Sequence, residues 1–242
     1  MTNRGKPLLF GAFEGVPITL HRTDREKSIA LSVRNDNIRV LAPQRVTNEE
    51  IHHLIARKAR WLRGKLAKNA EIKYLTEHSF IDGEKFPFLG KYYPLQVLDG
   101  PKARAELVSG ILIVHTRRSH EPERRARSVK AALLCWYKTE AAVLIRDRVR
   151  HHGAVMKLTP SRITFRDNKS MWGKCSSEGV LMFNWKLVMA PLKITDYVVV
   201  HELAHLRHMD HSRHFWQEVE KVLPDYKRRR NWLRDHGGTL AI

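Results

Sequence analysis

Cysteine is scarce in this chain: its 242 residues contain two, Cys135 and Cys175. They fall in different predicted elements, so they do not form a disulfide framework. Neither belongs to a C-x-x-C pair, so a second, cysteine-based zinc site is not expected. A reducing cytoplasm is the default location. No apolar run approaches the roughly 18 residues that suggest a membrane span, so no membrane partner is expected. Residues Met1 to Pro7 lead into only a short apolar run and lack a signal-peptide core and cleavage site. The sequence shows no internal repeat and no low-complexity linker. It also has no glycine-rich loop to cradle phosphates and no carboxylate cluster for magnesium.

Acidic residues are the other shortage. Asp and Glu number 25 against 44 Lys and Arg, giving a net charge of +19. Such a surface attracts polyanions in a salt-dependent way. Two basic stretches stand out. The first covers Arg57, Lys58, Arg60, Arg63, Lys65 and Lys68, where a solvated helix face is a sufficient account. The second gathers Arg117, Arg118, Arg124, Arg125 and Arg127 at the start of a helix predicted from Pro122, where they oppose the helix dipole. Local stability does not favour that placement. Arg124, Arg125 and Arg127 are therefore the expected contacts for nucleic acid.

What the chain does contain is His201–Glu202–Leu203–Ala204–His205, followed by His211. Histidines four apart lie one turn apart on one helix face, so both imidazoles can reach one metal ion. Glu202 sits about 100° round the helix. In such sites this residue is a base for the attacking water, not a ligand. Val199, Leu203 and Leu206 recur on the roughly opposite face. Thr195 is the expected helix cap, with Asp196 in the first turn. For the third ligand, His208 would stand roughly 10 Å from His201 along a continued helix. That is too far for zinc–nitrogen bonds of about 2.0–2.1 Å. A break at Met209–Ser212, with Ser212 capping a second helix through Phe215, Val219 and Val222, would swing His211 back. His211 is the expected ligand, ahead of His214 and then His208. His208, His214 or a group on the preceding hairpin are the candidates to steady a transition-state oxyanion.

The rest of the chain frames that helix. Residues 1–15 read as a loose lead-in, and Pro17–Arg22, Ser28–Arg34 and Ile38–Leu41 as strands, with Asn35-Asp36-Asn37 as a turn. Thr47-Asn48-Glu49-Glu50 is a capping box opening one helix through Leu66. Short strands return from Phe80 to Thr116. The helix from Pro122 runs to about Arg150, with Gly153 as its stop. Ser161–Arg166 is a strand, and Trp172–Leu187 a hairpin whose edge could take an extended substrate by β-addition. Two domains are expected: a β-rich α+β region over 1–118 and a catalytic domain over 119–242.

The set Trp172-Gly173-x-Cys175-Ser176, Asn184, Pro191, Tyr197 to His201-Glu202-x-x-His205, His211-Ser212-x-x-Phe215-Trp216 and Pro224-x-Tyr226 resembles the YgjP-like (DUF45) family of metal-dependent hydrolases, relatives of the SprT and WLM zinc peptidases. The resemblance implies an α+β, minimal zincin-like domain, with the motif helix packed on a small antiparallel sheet. It implies Zn2+ on His201, His205 and His211, and Glu202 as catalytic base. It also implies an N-terminal region without known chemistry. The function expected is zinc-dependent peptide-bond hydrolysis of a protein or peptide substrate, possible near nucleic acid. Two alternatives stand beside it: a metal-dependent nucleotide phosphoanhydride hydrolase, and a non-catalytic nucleic-acid-binding module with structural zinc.

Overall fold

The computed structural model describes residues 7–24, 26, 28–34, 37–168 and 170–242. Part of the expected lead-in and part of the Asn35-Asp36-Asn37 turn lie outside them. The class is α+β, as expected. The chain divides into two compact units, Met1–Leu75 and Thr76–Ile242. The expected boundary at 118/119 is therefore corrected. Strands near 85–116 and the long helix after them share one core, in which Phe86, Leu95 and Val114 pack with Val129, Leu133 and Tyr137. Composition could not mark this, because both halves of the N-terminal region are β-rich.

The first unit is a four-stranded sheet of β1 (Leu8–Phe13), β2 (Val16–Thr23), β3 (Ala30–Arg34) and β4 (Asn37–Pro43), in the order β1-β2-β4-β3. The lead-in is thus partly a strand, paired antiparallel to β2. Ile18, Leu20, Ile38 and Val40 alternate inward and meet Ile51, Ile55 and Leu62. The capping box forms: Thr47 Oγ1 accepts from the Glu50 amide at 3.2 Å, and Glu50 accepts from the Thr47 amide at 2.7 Å. The expected single helix is two, α1 (Asn48–Arg57) and α2 (Ala59–Thr76), separated at Lys58. Trp61, on α2, is exposed.

The second unit opens with β5 (Lys85–Phe88), β6 (Lys91–Asp99), β7 (Arg104–Val108) and β8 (Ile111–Thr116), ordered β5-β6-β8-β7. This is the strand order of the first sheet, and the leading hairpin turns match. Glu14 and Gly15 have φ of 49° and 82°, Leu89 and Gly90 of 49° and 77°. Positive φ at both turn residues is what a tight hairpin demands. The repetition lies in topology, which is why residue identity does not reveal it.

Helix α3 (Pro122–Met156) then covers this sheet. It runs six residues past the expected end. Gly153 is inside it, needed because a Cβ there would stand 2.7 Å from the Leu158 carbonyl. Lys157 at φ 55° makes the left-handed stop instead. Strands β9 (Arg162–Arg166), β10 (Gly173–Cys175) and β11 (Val180–Asn184) form a three-stranded sheet ordered β10-β11-β9. It is mixed, correcting the antiparallel expectation: β10–β11 is antiparallel but β11–β9 is parallel. A 3₁₀ turn, Trp185–Met189, leads to α4 (Leu192–Ala204), α5 (Arg213–Val222) and α6 (Tyr226–His236). Among the described residues, no helix is long and apolar enough to cross a membrane.

Candidate metal centre

Helix α4 carries the motif and is fixed at both ends. Its N-cap is Pro191, four residues before the expected cap. Thr195 instead donates to the Leu187 carbonyl at 3.0 Å, tying the helix to the 3₁₀ turn. That turn is gripped by the β5–β6 hairpin: the Leu89 and Gly90 amides donate to the Val188 and Met189 carbonyls at 2.8 and 3.1 Å. A Cβ on Gly90 would stand 2.7 Å from Pro191 Cγ, so the hairpin tip needs glycine for close approach as well as for φ. Asn184 fastens the same region, donating to the Asn168 carbonyl at 2.8 Å and accepting from the Lys186 amide at 3.1 Å.

Asp196 lies in the second turn of α4, not the first. It accepts from Arg148 Nε at 2.6 Å and His152 Nε2 at 3.0 Å on α3. Burial opposes its ionisation, but the hydrogen bonds from His152 and Arg148 outweigh that and hold the carboxyl below its usual range. A depressed folded-state pKa stabilises above the unfolded value of about 3.9, and the benefit is lost as pH falls through the folded value. Asp196→Asn should therefore cost about 2 kcal/mol at pH 7 and progressively less below about pH 4. Urea unfolding midpoints at the two pH values check this.

The apolar pattern of α4 is broader than a single face. Val198, Val199, Val200, Leu203 and Ala204 are all buried, because α3, α5, α6 and β10 pack around it. After Ala204 the chain reverses. The Leu206, Arg207 and His208 amides close onto the Leu203 and Ala204 carbonyls, and the Ser212 amide onto Asp210 at 3.2 Å. The sequence places the break at Met209–Ser212; the helix instead ends at Ala204, and the turn from His205 to His208 starts the reversal that returns His211 to the helix.

His201, His205 and His211 each present a ring nitrogen, and all three lie within 4.8 Å of one another. The Nε2 atoms of His201 and His211 are 3.1 Å apart. Two nitrogens bonded to one tetrahedral zinc stand about 3.3–3.4 Å apart, so the His201–His211 pair is close to that spacing. His205 Nδ1 lies 2.9 Å from the His208 carbonyl, which can only accept. That bond places the proton on Nδ1 and leaves Nε2 as a lone pair. Burial, then repulsion from His205, His211 and Arg230, takes His201 down to about 3. Burial likewise lowers His205, opposed by the His208 carbonyl. Neutral imidazoles are the form that ligates. His208 and His214 stack on each other at 6.3 Å between ring centroids and are not in the cluster.

Helix α5 supplies the wall. Phe215 is fully buried with its ring 4.9, 4.5 and 4.9 Å from those of His201, His205 and His211. Trp216 lies 5.7 Å from His201 and from His211, stacks on Tyr226 at 5.2 Å, and carries the Arg230 guanidinium 5.0 Å from its ring centre. From the sequence, Phe215 is an apolar position of the second helix and Trp216 a member of the motif, and neither is placed against the histidines. Their spacing directly after His211 was the available signal.

Glu202 is 4% exposed, and its Oε2 has no protein partner. Burial pushes its carboxyl up to about 8. It projects against the backbone of β10: a Cβ on Gly173 would stand 2.4 Å from Oε1 and 2.6 Å from Cδ. Gly173 is a site residue whose role the Trp172-Gly173-x-Cys175-Ser176 motif does not reveal. Strand β10 is an edge of its sheet beside α4.

A helix with two histidines one turn apart, a third returned by a tight reversal, and a buried carboxylate between them defines a metal-dependent hydrolase. The chain belongs to the YgjP-like metallopeptidase family, whose metallopeptidase-domain model matches residues 27–236. No curated protein matches it. Among solved structures it is similar to the crystal structure of the metallopeptidase zymogen of Pyrococcus abyssi abylysin. That likeness is at 24% identity and a TM-score of 0.36, over 40% of this chain and 96% of that one.

Proposed function

We propose that the protein is a zinc-dependent endopeptidase in which His201, His205 and His211 hold the metal and Glu202 is the general base. The observation that carries this reading is the convergence of three imidazoles beside a buried, unpartnered carboxylate. Zinc held there supplies a Lewis acid that acidifies water and polarises the scissile carbonyl. Glu202, made more basic by burial, takes the proton from the attacking water. It then delivers that proton to the leaving amine, and the peptide C–N bond breaks. The edge of β10 offers backbone groups to an extended segment, which favours a protein chain as substrate. Two free cysteines, Cys135 and Cys175, fit a cytoplasmic setting. Three ligands with an unpartnered Glu beside them suit an open site better than a closed structural one. Imidazole ligands also favour zinc over magnesium, which counts against nucleotide phosphoanhydride chemistry.

The test is elemental analysis of the wild type and of His211→Ala, with cleavage of an unfolded protein. One zinc per chain, lost in the variant along with activity, is the expected result. Zinc retained at full occupancy in His211→Ala would remove His211 from the ligand set. Zinc without proteolysis would overturn the endopeptidase reading.

A further inference from the structure

A cluster of basic side chains lies at the N-terminal end of α3. A concavity of about 660 Å³ opens there, lined by Lys102, Arg117, Arg118, Arg124 and Arg125, with Glu121 as its acidic residue. Arg117 donates to the Pro101 carbonyl at 3.0 Å, and Arg125 pairs with Asp99 at 2.9 Å, so two of the cations are held in place. Lys102, Arg118 and Arg124 have no acidic partner among the described residues. The feature is remote from the metal centre. Helix α3 is unbroken from Pro122 to Met156, and it meets α4 through Arg148. At 1.5 Å per residue, Arg125 and Arg148 are about 35 Å apart along the axis.

The gathering of these side chains has a cost that the fold offsets only at Arg117 and Arg125. They repel one another, and they stand where the helix end is itself positive. An anion in the concavity reverses both terms. Four of the five cations are arginine, whose planar fork suits phosphate oxygens. Positive charge continues past the rim to Arg127, which pairs only loosely with Glu123 at 3.7 Å. The chain as a whole carries +19. That extent exceeds what a single phosphate needs and matches a repeating polyanion.

We infer that this concavity docks the phosphodiester backbone of a nucleic acid, apart from the metal centre and independent of whether that centre cleaves peptides. Arg118 and Arg124 supply the phosphate contacts, and Arg117 and Arg125 shape the floor. The contacts are to backbone, so sequence preference is not expected.

The test is fluorescence anisotropy of labelled duplex DNA and of single-stranded RNA against the full chain, over a salt titration. Arg118→Ala combined with Arg124→Ala should weaken binding to the preferred nucleic acid at least about tenfold at low salt. On duplex DNA it should also reduce the log–log salt slope by about 2. Arg118→Lys with Arg124→Lys, which keeps the charge and guards against misfolding, should keep the slope. The inference is overturned if the wild type binds neither nucleic acid at low salt. It is equally overturned if the alanine pair binds as tightly with an unchanged slope, or if polyglutamate competes as well as nucleic acid at equal charge.

Discussion

Glu202→Gln should leave the metal bound while lowering turnover by about 10²–10⁴-fold. The two side chains have the same shape, so the packing against β10 survives. An amide is cheaper to bury than a carboxylate, so folding should not suffer. What disappears is the basic oxygen proposed to take the proton of the attacking water. The histidine cluster proposed to hold the metal does not include Glu202. Metal content measured beside kcat therefore separates the two roles. Loss of metal with activity would make Glu202 a ligand, and activity within tenfold of wild type would remove it as the base. Because α4 is buried on most sides, the helix that carries Glu202 cannot easily shift to let a neighbouring water bypass it.

The candidate site was more legible than the fold around it, for a physical reason. Helical periodicity alone puts His201 and His205 on one face, and a break before Ser212 is enough to bring His211 back, although the helix ends earlier than the sequence indicates, at Ala204. Those are local rules, and the structure brings the three together. The elements that position them depend on contacts distant in sequence. Pro191 caps α4 in place of Thr195 because the β5–β6 hairpin, a hundred residues earlier, fixes the preceding turn. Gly153 reads as a helix stop, yet it is buried under the Leu158 carbonyl and Lys157 takes the left-handed position. The parallel β9–β11 pairing and the division at Leu75 were likewise invisible, since neither strand order nor sheet–helix pairing is written in a local pattern.

Gly173→Ala carries the second large effect, and it tests a contact that no ligand motif announces. Gly173 has no positive φ, so alanine meets no backbone objection there. The cost is steric. Its Cβ would stand 2.4 Å from Glu202 Oε1 and 2.6 Å from Cγ and Cδ, closer than real Cβ contacts allow. Either β10 or the carboxylate must move, and a displacement of about 1 Å at a catalytic group costs on the order of 10²-fold in rate. Overpacking of this kind also costs about 1–3 kcal/mol of stability. Metal content should stay at wild-type level, since the three atoms nearest the added methyl all belong to Glu202. Glu202→Ala removes Cγ, Cδ and both carboxylate oxygens and so leaves room for the added methyl. Combined with Gly173→Ala, it should be hardly slower than Glu202→Ala alone, a non-additive result that contact between the two positions requires. Two losses that simply multiply would mean that Gly173 acts elsewhere, through β10 and the substrate it receives, with no part in holding the base.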